Sequence, residues 1–236
     1  DADRAVRGLE RYLGRTATAI ISAEMGGLNS VVPVAYAAMR GLPIIDADGM
    51  GRAFPSLDMV SFNVYGVSCT PMTLMDEHGQ LVILETRNAR AAEEMARPVV
   101  AQMGAQAMMC CYPMTGAQAR QTAVPGTLSA ALAIGKAILE GDGAISPVDR
   151  LVAALRAQPY YRHAHRLFDG KIVDLDRLTT RGWVFGTCVI DALDGAGQVT
   201  IEFQNEHLVA RRDGQLLAIV PDLIAVVDRE TARPIP

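Results

Sequence analysis

Lysine is nearly absent from this chain: only Lys136 and Lys171 are present, and the other basic side chains are arginines. Positive charge is also the minority sign, with 22 basic against 26 acidic residues and a formal net charge of −4. The basic residues are scattered rather than run together, so no stripe exists to track a phosphate backbone, and nucleic acid is not an expected partner. No apolar run approaches the roughly 18–20 residues needed to cross a bilayer, so no membrane association is expected. The four cysteines (Cys69, Cys110, Cys111 and Cys188) lack CxxC-type spacing, which argues against a thiolate metal site and fits reduced, mostly buried thiols of a cytoplasmic protein. The opening Asp1-Ala2-Asp3-Arg4 has neither an initiator Met nor the layout of a signal peptide. It reads as the middle of a helix, and the chain is expected to be a fragment of a longer protein.

What the sequence does contain is enough apolar material for a real core. Half of the 236 residues are hydrophobic and a fifth are charged. Residues 3–13 read as a helix, with Val6, Leu9 and Leu13 opposite the arginines. Thr18–Ser22 and Leu42–Ile45 are short apolar runs flanking a helical stretch, Val31–Met39, which Gly41 and Pro43 terminate. That pattern predicts a β-α-β unit with parallel strands. Leu81–Leu84 and Ala107–Tyr112 read as further strands, with helices at Ala89–Met103 and Leu128–Leu139. Ser146-Pro147 marks the start of another helix. Beyond Pro159 the chain breaks into short extended segments: His163–Ile172, Gly182–Ile190, Gln198–Phe203, Leu208–Arg211, Leu216–Ile219 and Leu223–Val227. Turn signals at Asp169-Gly170, Asp194-Gly195 and Asp213-Gly214 separate them. The expected fold class is therefore α/β: a three-layer α/β domain of parallel β-α-β units over residues 1–158, then a small antiparallel β-barrel-like domain over 159–236.

Ligands of parallel α/β sheets bind outside the carboxyl edge of the strands. The segments that would emerge there are Ala23–Asn29, with Glu24, Gly26 and Gly27, and Asp46–Pro55, with Asp46, Asp48, Gly51 and Arg52. Carboxylates crowded together raise one another's pKa and become general acids or bases near neutral pH. The same oxygens suit a hard divalent cation such as Mg²⁺. Gly26-Gly27 ahead of a helix offers backbone N–H groups to an anion, although the string is neither Walker A nor GxGxxG. Each residue also has an ordinary structural reading, since Asp and Gly form turns and Asn29 or Ser30 can cap the following helix.

Other candidates carry less. His163 and His165 have a spacing that can chelate a metal, and also the spacing of surface strand residues. Cys110 and Cys111, as strand neighbours, face opposite sides and do not act together. Cys69 has no histidine near it in sequence and reads as a buried thiol rather than a nucleophile. Asn205-Glu206-His207 is an unusually polar corner between two short strands.

The strings Ala23–Asn29, Asp46–Pro55, Gln204-Asn205-Glu206 and Pro221-Asp222-Leu223-Ile224 resemble the DUF917 family, also labelled S-methyl thiohydantoin desulfurase-like and associated with hydantoinases and oxoprolinases. The Asp46–Pro55 string, Asp-Ala-Asp-Gly-Met-Gly-Arg-Ala-Phe-Pro, is the specific part. The resemblance covers essentially the whole chain and implies an α/β domain with a β-barrel domain, and hydantoin or thiohydantoin metabolism. It supplies no catalytic residue.

The resulting expectation is a hydrolase-type enzyme, or a subunit of one, acting on a small cyclic amide such as a hydantoin or thiohydantoin. Asp46 or Asp48 would be the base or metal ligand, with Glu24 as partner and Arg52 as anion clamp. The Gly26 and Gly27 amides would be oxyanion donors, and Asn29, Gly51 and Asn205 would complete the ligand site. The alternative is a non-catalytic binding or accessory subunit of a hydantoinase-like complex, with a hydantoinase or oxoprolinase-like protein partner.

Overall fold

A computed structural model describes residues 2–53, 55–141, 143–180 and 182–235. The chain forms two compact units, Asp1–Ser129 and Ala130–Pro236.

The first unit contains α1 (Ala2–Leu13), α2 (Val31–Arg40), β1 (Ala47–Asp48), α3 (Ser61–Val64), β2 (Met72–Met75), β3 (Leu81–Leu84), α4 (Ala89–Gln102), β4 (Met108–Cys110), α5 (Gly116–Thr122) and β5 (Val124–Pro125). The helix α6 (Thr127–Leu139) starts in it. At its centre lies β2, flanked on both sides by antiparallel partners in the order β3-β2-β4. All four β2 residues are buried. Strand alternation sends Thr73 toward α1, where its hydroxyl donates to the Ala5 carbonyl at 2.8 Å, the partner that a buried hydroxyl requires. Met72 and Leu74 point the other way. They form a core with Phe62, Tyr112 and the small face Ala89, Ala92 and Ala96 of α4. On α1 the buried positions are Ala5, Gly8 and Leu9, while Leu13 is exposed, so its inner face is narrower than the leucine spacing predicted.

The expected parallel sheet is not formed: every sheet among the described residues is antiparallel. The runs at 18–22 and 42–45 do meet in parallel, but at one isolated bridge between Ile20 and Ile44. Ile20 N–H donates to Pro43 O at 3.0 Å, and Ile45 N–H to Ile20 O at 2.8 Å. The ladder stops there for local reasons. Pro43 has no N–H to extend it one way. In the other direction the Ala47 amide turns back onto Ile45 O at 2.8 Å. The central strand β2 lies in a stretch where no strand was expected, and its hairpin with β3 makes the sheet antiparallel.

Helix ends follow their sequence signals. Gly41 closes α2 in the left-handed region (φ 65°), and its N–H bonds the Ala37 and Ala38 carbonyls. Ser146 caps α7 (Pro147–Arg156), accepting from the Asp149 amide at 3.1 Å.

The second unit holds the rest of α6, α7, and a five-stranded antiparallel meander: β6 (Gly170–Thr180), β7 (Trp183–Ala192), β8 (Gln198–Gln204), β9 (Glu206–Arg212) and β10 (Gln215–Ile219). The boundary read from composition, near Gln158, falls between α7 and β6. Neighbouring strands pair in sequence order, and β6 and β10 do not pair among the described residues, so the sheet is open where a barrel-like closure was expected. Its core is Cys188, Ile190, Val199, Ile201, Phe203, Ala210 and Ile224. Asp213 (φ 48°) and Gly214 (φ 83°) both take the left-handed conformation that a two-residue hairpin demands. Asp169-Gly170 is not a turn of this kind, because Gly170 opens β6.

Leu74 is 1% exposed at the centre of the first core. Leu74→Ala is expected to cost roughly 2–5 kcal/mol in urea unfolding, the range for truncating a packed leucine. A loss of about 1 kcal/mol or less would show that the site collapses around the smaller side chain.

Candidate functional site

The two segments singled out by sequence are in backbone contact. The Gly49 amide donates to the Ala23 carbonyl at 3.0 Å, and Gly49 O accepts from the Ser61 amide at 2.6 Å. A Cβ at position 49 would lie 2.6 Å from that Ala23 oxygen and 2.9 Å from Val60 Cβ, so only glycine permits this approach. On the far side of the junction, a Cβ at Gly26 would meet Ala53 Cβ at 3.6 Å and Glu24 Oε1 at 3.4 Å. Phe54, within the Asp46–Pro55 string, lies outside the described residues.

Asp48 ties the junction together. Its carboxylate is fully buried and accepts from the Gly51 amide at 2.8 and 3.0 Å, and the Met50 and Met25 amides act on it to lower its pKa. The Met25 amide belongs to the first segment, so amides of both segments act on this one carboxylate. The Thr127 hydroxyl sits against the same carboxylate and supports its charge, although its geometry falls short of a full hydrogen bond to any group. Burial raises the Asp48 pKa above the usual carboxylate value and outweighs the amides, which act to lower it. Gly51 holds φ 74°, which lets the chain fold back so that its own amide reaches the carboxylate.

Asp46 is placed differently. β1 pairs with β5, Ala47 opposite Pro125 and Asp48 opposite Val124, which carries Asp46 to the start of α6. There its carboxylate accepts from the Ser129 amide at 3.0 Å and the Ser129 hydroxyl at 2.6 Å. The Gly126 amide donates to Asp46 O at 2.8 Å. Asp46 thus caps a helix from a distant segment, and the Ser129 bonds hold its pKa below the usual value. Sequence reasoning did not find this role, because the partner is 83 residues away.

The remaining candidates fall as follows. Glu24 is half-buried, and Asn29 Nδ2 donates to its Oε1 at 2.6 Å. Gly26 O accepts the Ser30 hydroxyl at 2.6 Å and the Ser30 amide at 3.1 Å, fixing the turn into α2. Position 27 has open space where a side chain would stand. Arg52 Nε donates to the Ala53 carbonyl at 3.4 Å. Asn205 belongs to the other unit. There it adopts φ 57° in the β8–β9 turn, its amide donates to Val184 O at 2.7 Å, and its Oδ1 accepts from the Val184 amide at 2.8 Å. That is the work of a turn residue. Among the described residues no three His, Cys, Asp or Glu side chains group as metal ligands. His165 Nδ1 lies 2.8 Å from the His163 carbonyl oxygen, a contact within one exposed turn. The described residues include no helix long and apolar enough to cross a membrane.

One cluster went unnoticed in the sequence. Tyr112, 4% exposed with φ 52°, packs at a tilt against Phe62 with ring centroids 5.5 Å apart, and its hydroxyl donates to the Leu57 carbonyl just beyond the Asp46–Pro55 segment. The thiols of Cys69 and Cys111 lie beside that hydroxyl.

The S-Me-THD-like N-terminal domain family matches residues 1–86, and the S-Me-THD-like C-terminal domain family matches residues 86–236. The chain belongs to the S-Me-THD-like family. A crystal structure of a protein from Chromobacterium violaceum is similar to this S-Me-THD-like chain, with 30% identity and a TM-score of 0.73. The similarity covers 94% of this chain and 60% of that one, so the chain spans 60% of the length of the C. violaceum protein. No curated protein matches the chain. The family junction at residue 86 falls between β3 and α4, inside the first compact unit.

The two neighbouring aspartates give opposite pH signatures. Asp46, with its folded pKa lowered, adds stability above the usual carboxylate range that is lost as pH falls through its folded value. Asp48, with its folded pKa raised, is easier to protonate in the native state. It therefore costs nothing below the unfolded value of 3.8, and its cost grows as pH rises from there through the folded value. Carboxyl-carbon NMR titration is expected to show Asp48 titrating above 3.8 and Asp46 below it. Asp46→Ala is expected to lose on the order of 1 kcal/mol as a missing cap, read from urea unfolding. The reverse order of the two titrations, or an unchanged unfolding midpoint, would contradict this assignment.

Proposed function

We propose that this chain carries the reacting groups of a hydrolase-type enzyme acting on a small cyclic amide of the hydantoin or thiohydantoin class, at the junction of residues 23–29 with 46–55. Family membership supports the link to hydantoin and thiohydantoin metabolism. The observation that supports the location is the backbone bond from the Gly49 amide to the Ala23 carbonyl at 3.0 Å, which joins the two segments beside the buried Asp48 carboxylate.

Hydrolysis at a ring carbonyl or thioimidate carbon needs an activated water and donors for the charge that develops on the heteroatom. The groups divide the work by exposure. Asp48 is fully buried and positions the loops rather than meeting substrate. Asp46 is occupied by Ser129. Glu24, half-buried at the junction and oriented by Asn29, is the general base that draws a proton from the attacking water. The Gly26 and Gly27 amides, ahead of α2, are the donors for the developing negative charge, with Gly27 leaving open space beside them. Arg52 clamps an anionic substituent or the carboxylate released by ring opening.

Glu24→Gln keeps the size and the Asn29 contact while removing the base. It is expected to lower kcat/KM by about 10²–10⁴-fold toward a hydantoin or an S-methyl thiohydantoin, with an unchanged urea midpoint. Undiminished turnover in this variant would exclude Glu24 as the base.

A further inference from the structure

The second unit contains a cleft of about 410 Å³, large enough for a small molecule, whose wall holds five charged side chains: Arg166, Asp169, Asp194, Arg212 and Arg229. The three arginines come from separate stretches, one ahead of β6, one at the end of β9 and one in the chain beyond β10. Two of them are already held. Arg166 pairs with Asp169, its Nε donating to Oδ1 at 2.6 Å. Arg212 lies over the Phe168 ring, 5.3 Å from the centroid, and its Nη2 donates to the Ala196 carbonyl. Phe168 in turn packs against the core of this unit, which steadies the guanidinium above it.

Arg229 is different. Its side chain has no hydrogen bond or ion pair among the described residues, yet its backbone is fixed. The Asp228 carboxylate accepts from the Glu230 amide at 3.1 Å, the Thr231 amide at 2.8 Å and the Thr231 hydroxyl at 2.7 Å. Across that turn Val227 bridges Pro234 in antiparallel fashion. A guanidinium with all of its donors to spare is thus presented from a tight turn to a cleft that already holds a second, anchored one. The charges in the wall define what suits them. Three guanidiniums face two carboxylates, which leaves one positive charge in excess. Asp169 is taken up by Arg166, and Asp194 accepts from the Ala196 amide at 2.9 Å. Asp213 reaches Arg212 Nε only at 3.9 Å, between exposed side chains, and competes weakly. A monoanion balances the excess, whereas a dianion would be repelled by the two aspartates. The planar fork of a guanidinium matches the two oxygens of a carboxylate.

We propose that this cleft binds a small monocarboxylate through the guanidiniums of Arg229 and Arg212. Arg229 supplies an unoccupied fork. Arg212, positioned by Phe168 and the Ala196 carbonyl, supplies the second set of donors. The Arg166–Asp169 pair is a neutral part of the wall. Every residue of the site belongs to the second unit, so the site does not depend on the hydrolase reading of the first.

The test is NMR of the arginine Nε–H signals in the ¹⁵N-labelled protein, titrated with sodium acetate while sodium chloride keeps the ionic strength constant. The expected result is a saturable shift of the Arg212 and Arg229 signals. Arg229→Ala should weaken acetate binding at least about tenfold, the worth of a hydrogen bond to a charged group, with the backbone amide spectrum otherwise kept. Arg229→Lys, which retains the charge and loses the fork, should fall between the two. Shifts that stay linear in acetate, undiminished binding in Arg229→Ala, or tighter binding of inorganic phosphate than of acetate at the same ionic strength would overturn the proposal.

Discussion

A carboxylate withdrawn from water must find donors, and in this protein Asp48 finds them on two separate segments at once. The amides of Met25, Met50 and Gly51 converge on one fully buried side chain. The cost of leaving such a charge unsatisfied is what holds the segments in register. Around that point the rest of the junction is backbone: Gly49 against Ala23, Gly26 beside Ala53, and Gly51 turned into the left-handed region. The abundance of glycine in these strings is thus a matter of approach distance as well as turn formation. Close backbone contact leaves few side chains at the edge of the junction, the half-buried Glu24 among them.

The same logic explains why two adjacent acids behave differently. Asp46 lies just ahead of the two-residue strand β1 and Asp48 ends it, with only Ala47 between them. One meets the beginning of a helix and is held ionised by donors near solvent. The other is sealed in, and desolvation dominates. Sequence spacing could say that both were present and near each other. It could not say which would be exposed, because that depends on the length and path of α6, whose first residues begin 81 positions after Asp46.

Much of the secondary structure was legible where local signals act alone. Gly41, Ser146-Pro147 and Asp213-Gly214 each encode a conformation within a few residues, and each is found as expected. The sheet was not legible, because direction is decided by pairing between distant segments. An apolar run flanked by a helix looked like one arm of a parallel crossover. Pro43 and the turn at Ala47 reduce that pairing to the Ile20–Ile44 bridge, while Met72-Thr73-Leu74-Met75, with a polar residue in its middle, is the true centre. Of the candidate site, the meeting of residues 23–29 with 46–55 was foreseen on a premise about strand direction that the sheets do not share. The loops converge through Asp48 and Gly49 instead. Asn205, grouped with them by resemblance, does turn work in the other unit.

The Asp46–Ser129 contact makes the first turn of α6 dependent on a residue that lies 83 positions earlier in the chain. Neither partner can be satisfied by local sequence, and the closure entropy of so long a loop must be met before the bond forms. The strand β1 and the beginning of α6 are therefore linked, each holding the other in place through this contact. A helix whose own residues favour the conformation is in this way made conditional on the rest of its unit being in place.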